Sequence, residues 1–418
     1  MPTGTEALPG GRRGECRPLR ILFLCGEYPL GGGGFGSYVK CLAPALAARG
    51  HEVHVLSCLA RKPRRDYRDG PVWIHERDTV RLRLGARRLL GGQETWNRLV
   101  AAVSCRVELA RLRLPFDVVE IADFGAEGLL FGLGRRRPMV AHLHGPLRLT
   151  HAHSGYERGR DTRLADWLER TTVARAGLVT SPSDLVSGEL REAGWLRGAA
   201  APTVRNPIDL EQWAEVPPLR DSRPLVLAVG RVEPLKGPDV LVRAAAKLAR
   251  EADGVEVVFI GRSSGQRDGM AYRDWVQKLA AEVGAPCRFV EQVPRSELRG
   301  WYAAARVVAV PSHYDSLSMT GLEAMACGRP LVCSSRTGVA ELVAGSGAGT
   351  VVPPGSADQL ARALLPYLLD PELARATGAR GRRLVRTTCS PGRIAEERER
   401  CYHAVLGPRR RADTEEAR

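Results

Sequence analysis

The chain has 418 residues and a mass of 45.5 kDa, too much for one ordinary core and enough for two or three. Hydrophobic residues make up 44% and charged residues 26%, which excludes wholesale disorder and fibrous repeats. The net charge of +15 rests almost entirely on arginine: the lysines are Lys40, Lys62, Lys236, Lys247 and Lys278. The arginines are spread along the chain without interleaved aromatics, so the charge predicts no nucleic-acid partner.

The densest run, 81–113, holds eight arginines on an amphipathic pattern. It predicts a solvated helical face, with weak peripheral membrane contact as the alternative. No uncharged apolar stretch reaches the roughly 18 residues of a membrane span, and the first twenty residues lack the apolar core of a signal peptide. The expected compartment is the cytoplasm. Ten cysteines are scattered with no CxxC pair, which predicts small core hydrophobes and no structural metal.

Residues 1–18 read as a flexible segment. A first strand follows at Ile21–Cys25, a helix at Ser37–Ala48, and further strands at Val53–Ser57, Val118–Ile121, Met139–His142 and Gly177–Thr180. Residues 203–223 are rich in proline and charge and read as a linker. A second series holds strands at Leu225–Val229, Val255–Ile260, Val307–Val310 and Leu331–Cys333, with helices at Pro238–Arg250 and Tyr272–Val283. The alternation predicts an α/β protein of two doubly wound parallel-sheet domains, 19–204 and 205–390. The amphipathic helix 391–406 is expected to pack back on the first domain, and 407–418 to form a charged tail. In such folds ligands bind beyond the strands' carboxyl ends, which for two facing sheets places the site in an interdomain cleft.

The loops after strands carry the chemistry. Gly31–Gly36 (GGGGFG) satisfies GxGxxG, but its glycines begin too far beyond the strand for a dehydrogenase, and no acidic residue closes the second strand at 57–59. Arg61, Lys62 and Arg64 keep a 2′-phosphate reading open. Its N–H groups otherwise suit a diphosphate or sugar. Gly230–Gly237 (GRVEPLKG) sets Arg231 and Lys236 in a loop that opens a helix, where two cations and helix N–H groups can neutralise a leaving diphosphate. Lysine at 236 stands out in a chain that almost always uses arginine. Between Pro311 and Val332, Asp315 falls in a loop and Glu323 in the helix that follows, two carboxylates suited to accept short bonds from sugar hydroxyls.

In this combination the chain resembles a retaining glycosyltransferase of family 4, with the GT-B architecture of two facing Rossmann-like domains. The segments that carry the resemblance are Gly31–Gly36, His144-Gly145, Gly230–Gly237 and the Asp315-to-Glu323 motif, with Asp117–Gly128 and Arg205–Trp213 beside them. It implies that Arg231 and Lys236 hold the nucleotide diphosphate, that Glu323 holds the ribose, and that Asp315 and His144 lie at the transferred sugar. Gly33, Gly34, Ser316, Leu317 and Ser318 complete the implied donor-binding set. Asp315 is one methylene shorter than the family's glutamate, and Ser318 stands where glycine is common.

The expected activity is transfer from a nucleotide sugar, UDP-linked before GDP-linked, to a hydroxyl of a small acceptor, a natural-product precursor being favoured. No DxD pair stands in a strand-end loop, so no metal and no cofactor are expected. A cell-envelope or lipid-linked transferase and a GT-B epimerase are the alternative enzymes; a scaffold with a degenerate fold is the alternative outside enzymology. His142 is expected to pack beneath the site, and Trp167, Trp213 and Trp301 to serve packing. His151, His153 and His313 read as cleft or loop residues.

Overall fold

A computed structural model describes residues 17–28, 34–59, 63–80, 92–131, 138–154, 159–196, 198, 200–214 and 224–407. Gly33, Arg61, Lys62 and the arginines of 81–91 therefore lie outside the described residues. The chain divides into two compact units, one formed by 1–149, 157–207 and 391–418 and the other by 150–156 and 208–390. This differs from a boundary at 204/205 in two places, since 205–207 belong to the first unit and 150–156 to the second.

The first unit is built on seven strands: β1 (Arg20–Leu24), β2 (Glu52–Cys58), β3 (Arg65–Asp69), β4 (Val72–Arg77), β5 (Val118–Ala122), β6 (Met139–His142) and β7 (Leu178–Thr180). Their order is β3-β4-β2-β1-β5-β6-β7. The central strands are largely apolar because helices cover both faces, as a parallel sheet requires, although β2 and β5 also bury His54 and Glu120. The exception is β3, which pairs antiparallel with β4 across Gly70 and carries the polar sequence RDYRD on the edge. The expected all-parallel sheet is corrected there: an exposed edge strand needs no apolar run, so the sequence hides it.

Helices α1 (Gly34–Ala48), α2 (Gln93–Leu112), α3 (Leu147–Ser154) and α4 (Arg160–Ala174) flank or follow these strands. The helical face expected over 81–113 is only partly solvated in its described portion. Arg98 is buried against Glu169 at 2.6 Å, and Glu108 is buried against Arg77 at 3.1 Å. The C-terminal helix Pro391–Leu406 packs on α1 and gives Ile394, Ala395, Cys401 and Tyr402 to the core of β1, β2 and β5.

The second unit contains β8 (Leu225–Val229), β9 (Glu256–Ile260), a short hairpin of β10 (Gln266–Arg267) and β11 (Met270–Ala271), β12 (Cys287–Val290), β13 (Val307–Val310), β14 (Leu331–Ser334) and β15 (Gly349–Val352). The main sheet runs β12-β9-β8-β13-β14-β15 and is parallel throughout. Helices α5 (Pro238–Leu248) and α6 (Met319–Ala326) follow β8 and β13. The segment expected to be a linker is not one in its described part. Val204, Ile208 and Trp213 are buried, and Trp213 lies edge-on to Tyr302 at 5.3 Å.

Of the described cysteines, Cys25, Cys58, Cys105, Cys327, Cys333, Cys389 and Cys401 are buried thiols, acting as small apolar side chains. Among the described residues no helix is long and apolar enough to cross a membrane.

Candidate active site

In the second unit, β8 ends at Val229 and the chain turns through Gly230 into a tight turn at Pro234–Lys236 and then α5. Gly237 is needed there on two counts. Its φ is 62°, and a Cβ would stand 2.4 Å from the Pro311 carbonyl oxygen. That close approach, with the His313 N–H donating to the Leu235 carbonyl at 2.8 Å, ties the loop after β8 to the loop after β13. As a result Lys236 Nζ donates to Asp315 Oδ2 at 2.7 Å across 79 residues of sequence.

Asp315 Oδ1 accepts from the Ser318 N–H at 3.2 Å, and the Ser318 hydroxyl caps α6 by accepting from the Gly321 N–H at 3.3 Å. Ser318 holds φ 66° and ψ 93°. A residue with a side chain pays about 1–3 kcal/mol for such backbone, while an N-cap hydroxyl returns about 1 kcal/mol. The departure from glycine noted in the sequence thus has a physical counterpart.

Glu323 lies on the inward face of α6 and is buried. Burial pushes its carboxyl up from the usual range, while Arg295 and a bond from the Tyr302 hydroxyl to Oε2 at 2.9 Å oppose the rise. Arg231 is half exposed and pairs with Oε2 of the buried Glu233 at 2.9 Å. The other Glu233 oxygen has no hydrogen-bond partner among the described residues. Ser316 is half-buried, whereas the Leu317 side chain is packed in the core, so Leu317 offers a ligand only its main chain. Lys236, Asp315 and Ser318 are therefore joined where the loops after β8 and β13 meet, with Arg231 in the first of those loops and Glu323 on the helix that follows the second. His153 stacks on Tyr314 at 4.5 Å in the same unit.

In the first unit, His144 follows β6. The Asp123 carboxylate, just beyond β5, accepts from the N–H groups of His144 at 2.9 Å and Gly145 at 3.2 Å. Glu169 of α4 accepts from the Leu147 N–H at 3.0 Å and is paired with Arg98 of α2. Two buried carboxylates thus hold the turn that carries His144 by its main chain. Burial raises Asp123 to about 7, with the repulsion of Glu169 adding to it and the His144 and Gly145 bonds opposing it.

The His144 ring meets Phe35 at 4.9 Å, Tyr38 at 5.1 Å and His142 at 4.7 Å, all edge-on. Burial, and then the charge of Arg398, lowers its pKa to about 3, so the imidazole is neutral at any ordinary pH. Its Nε2 is buried with no hydrogen-bond partner among the described residues. Gly34 opens α1, but this helix start is not wholly available to a ligand, because Glu27 accepts from the Gly36 N–H at 3.1 Å. Nearby, Glu127 accepts from the Gly26 N–H, and burial followed by the repulsion of Glu27 pushes it up to about 8.

Sequence reasoning missed Asp123, Glu169 and Tyr302, which support the predicted groups. The first has a faint signal, as an acid directly after the apolar run of β5.

The fold places the chain in a class. Sucrose-phosphate synthase from Thermosynechococcus elongatus aligns with a TM-score of 0.74 at 22% identity, over 92% of this chain and 98% of that one. HepE from Anabaena, solved in complex with UDP-glucose, aligns with a TM-score of 0.66 at 18% identity, over 91% and 98%. The fold is the GT-B fold of these glycosyltransferases.

Sequence comparison narrows this. The family model described as Glycosyltransferase Family 4 matches residues 32–212, and that described as Glycosyl transferases group 1 matches 209–384. The chain is 31% identical to a D-inositol 3-phosphate glycosyltransferase of Kineococcus radiotolerans, over 84% of this chain and 86% of the relative. The protein belongs to the group 1, family 4 glycosyltransferases.

Proposed function

We propose that this glycosyltransferase moves a sugar from a nucleoside diphosphate sugar, UDP-linked before GDP-linked, to a hydroxyl of a small polyol acceptor, with retention of configuration. The observation that carries the reading is the Lys236–Asp315 pair that ties the loops after β8 and β13, with Arg231 in the first loop and the buried Glu323 on the helix after the second. Lys236 and Arg231 neutralise the charge that builds on the leaving diphosphate, and Glu323, fixed by Tyr302, accepts from ribose hydroxyls. These groups act most strongly in the transition state, when the anomeric bond has lengthened. Each cation is paired with a carboxylate, so donor binding exchanges one anion for another at little cost in desolvation.

No nucleophile of the protein is assigned. A leaving phosphate oxygen takes the acceptor proton on the face it departs from, while the sugar carries oxocarbenium character. His144, neutral and carried on a turn held through its main chain, meets the transferred sugar as a hydrogen-bonding group that brings no charge of its own. The diphosphate is handled by side chains and helix termini without a metal ion. The UDP-glucose complex of HepE supports the donor base, and the inositol phosphate relative supports a polyol acceptor.

A thermal-shift panel of UDP, GDP and TDP tests the donor, because a ligand that binds only the folded state raises Tm. UDP is expected to give the largest rise, and no rise with any nucleotide overturns the reading. With an inositol acceptor, NMR of the product should show the donor's anomeric configuration, at a rate unchanged by EDTA.

A further inference from the structure

We propose that Arg398, on the C-terminal helix, is a positioning residue for His144 that acts through the side chains of Tyr38 and His142. The inference rests on the donor-side role given to His144 above.

Arg398 is fully buried, and its guanidinium is divided among three acceptors. Nε donates to the Tyr38 hydroxyl at 2.5 Å, one terminal nitrogen to Thr180 Oγ1 at 2.6 Å, and the other to Glu120 Oε1 at 3.0 Å. Glu120, itself fully buried in β5, also accepts from the hydroxyls of Tyr38 at 2.6 Å and Tyr402 at 2.5 Å. The Tyr38 hydroxyl therefore accepts from Arg398 and donates to Glu120, which fixes the rotation of both the hydroxyl and the ring that bears it.

The second path follows from counting protons. Thr180 Oγ1 accepts from Arg398, and of the two acceptors its own proton can reach, His142 Nδ1 at 3.0 Å is nearer than the Ala141 carbonyl at 3.4 Å. His142 then carries its proton on Nε2 and donates it to Asn206 Oδ1 at 3.0 Å. Asn206 thus sets the tautomer of His142, while Arg398, through Thr180, holds that ring in place and fixes the rotation of the other. Those two rings, with Phe35, form the edge-on cage around His144. Among the described residues no hydrogen bond to Nε2 orients the His144 imidazole, so the cage must. Only a planar fork of donors serves three acceptors in this way; a lysine ammonium does not match it.

The same guanidinium is a fixed cation behind the cage, and it adds to burial in keeping His144 uncharged. The titratable and charged groups facing this region are Tyr38 from α1, Glu120 and Asp123 from β5 and its loop, His142 from β6, Glu169 from α4, and Arg398, Cys401 and Tyr402 from the C-terminal helix.

The full chain carrying Arg398→Gln, and separately Tyr38→Phe, is assayed for kcat, donor KM and the pH profile of kcat, per folded protein by circular dichroism. For Arg398→Gln we expect kcat to fall at least about tenfold with donor KM within about twofold, since the loss falls on a group that acts in the transition state. We also expect a new acid limb between about pH 5 and 7, because Glu120 is left as an unpaired anion near the two histidines. Tyr38→Phe keeps the charges and should lower kcat about threefold to tenfold without the acid limb.

Should Arg398→Gln not fold, Arg398→Met combined with Glu120→Gln removes the ion pair as a unit, which buried pairs often tolerate. It should show the same loss of kcat with the wild-type pH profile. Wild-type kcat in Tyr38→Phe and in this double variant, with normal UDP binding, overturns the positioning role alone. Failure of the wild type to bind UDP overturns the donor reading, and this inference with it.

Discussion

The two units meet their polar burden in opposite ways. Around His144 the first unit offers rings, main-chain bonds and carboxylates buried out of water, and the central imidazole is kept neutral. At the ends of β8 and β13 the second unit offers charges at partly exposed positions, each cation resting on a carboxylate of its own. The first arrangement is finished before any ligand arrives. The second is, on the proposed function, a set of contacts for an incoming diphosphate to exchange. The difference teaches where each kind of group gains its effect: burial fixes protonation and aim, while exposure leaves cations free to change partners.

The sharpest break of that comparison lies in the charged half. Lys236→Ala and Glu323→Ala should each cut transfer by about 10²-fold or more, roughly 2.7 kcal/mol on the barrier. Steady-state kinetics on variants with wild-type circular dichroism checks this, and near-normal turnover in either removes that residue from the machinery.

In the neutral half, Asp123→Asn leaves a single acceptor oxygen for the two N–H groups of His144 and Gly145. A loss of about tenfold in kcat with donor KM unchanged is expected, as a positioning defect acts on the transition state more than on binding.

The protonation of His144 gives a pH signature. An unfolded histidine takes its proton near pH 6.5, whereas folded His144 does so only near 3. Below 6.5 the unfolded state binds more protons, so this group's contribution to stability is complete above 6.5 and is lost as pH falls toward 3. Calorimetry at pH 7 and pH 4.5 should therefore show a smaller acid loss of Tm in His144→Gln than in the wild type. An equal loss would mean that the ring titrates normally.

The smallest effect belongs to Ser318→Gly. Relief of the left-handed backbone and loss of the cap nearly cancel, and stability should move by under about 1 kcal/mol in chemical denaturation.

Much of the fold was legible because buried parallel strands such as β1, β8 and β13 are short apolar runs, the first two with glycine soon after them. The charged groups of the second unit were legible too, since Lys236 is conspicuous among arginines and Asp315 and Glu323 follow a strand in the loop and helix after it. What stayed hidden has a common physical form. Strand β3 is polar because it lies on an edge, and Trp213 sits in a proline-rich stretch that gives no period. Asp123, Tyr302 and Arg398 act across distances in sequence that no local pattern reports. A buried arginine on a charged helix looks like any solvated one until its acceptors, 218 to 360 residues away, are brought to it.

The reach of that arginine bears on how the chain is made. Glu120 and Arg398 are 278 residues apart, so at about 5–20 residues per second the ribosome delivers the cation tens of seconds after the anion. Until then the carboxylate in the middle of the first sheet has no counter-ion, and that sheet cannot close over it without a heavy desolvation penalty. The second unit, nearly continuous from 208 to 390, is free to fold earlier. The half of the molecule that leaves the ribosome first is thus the half whose last piece of core is made last.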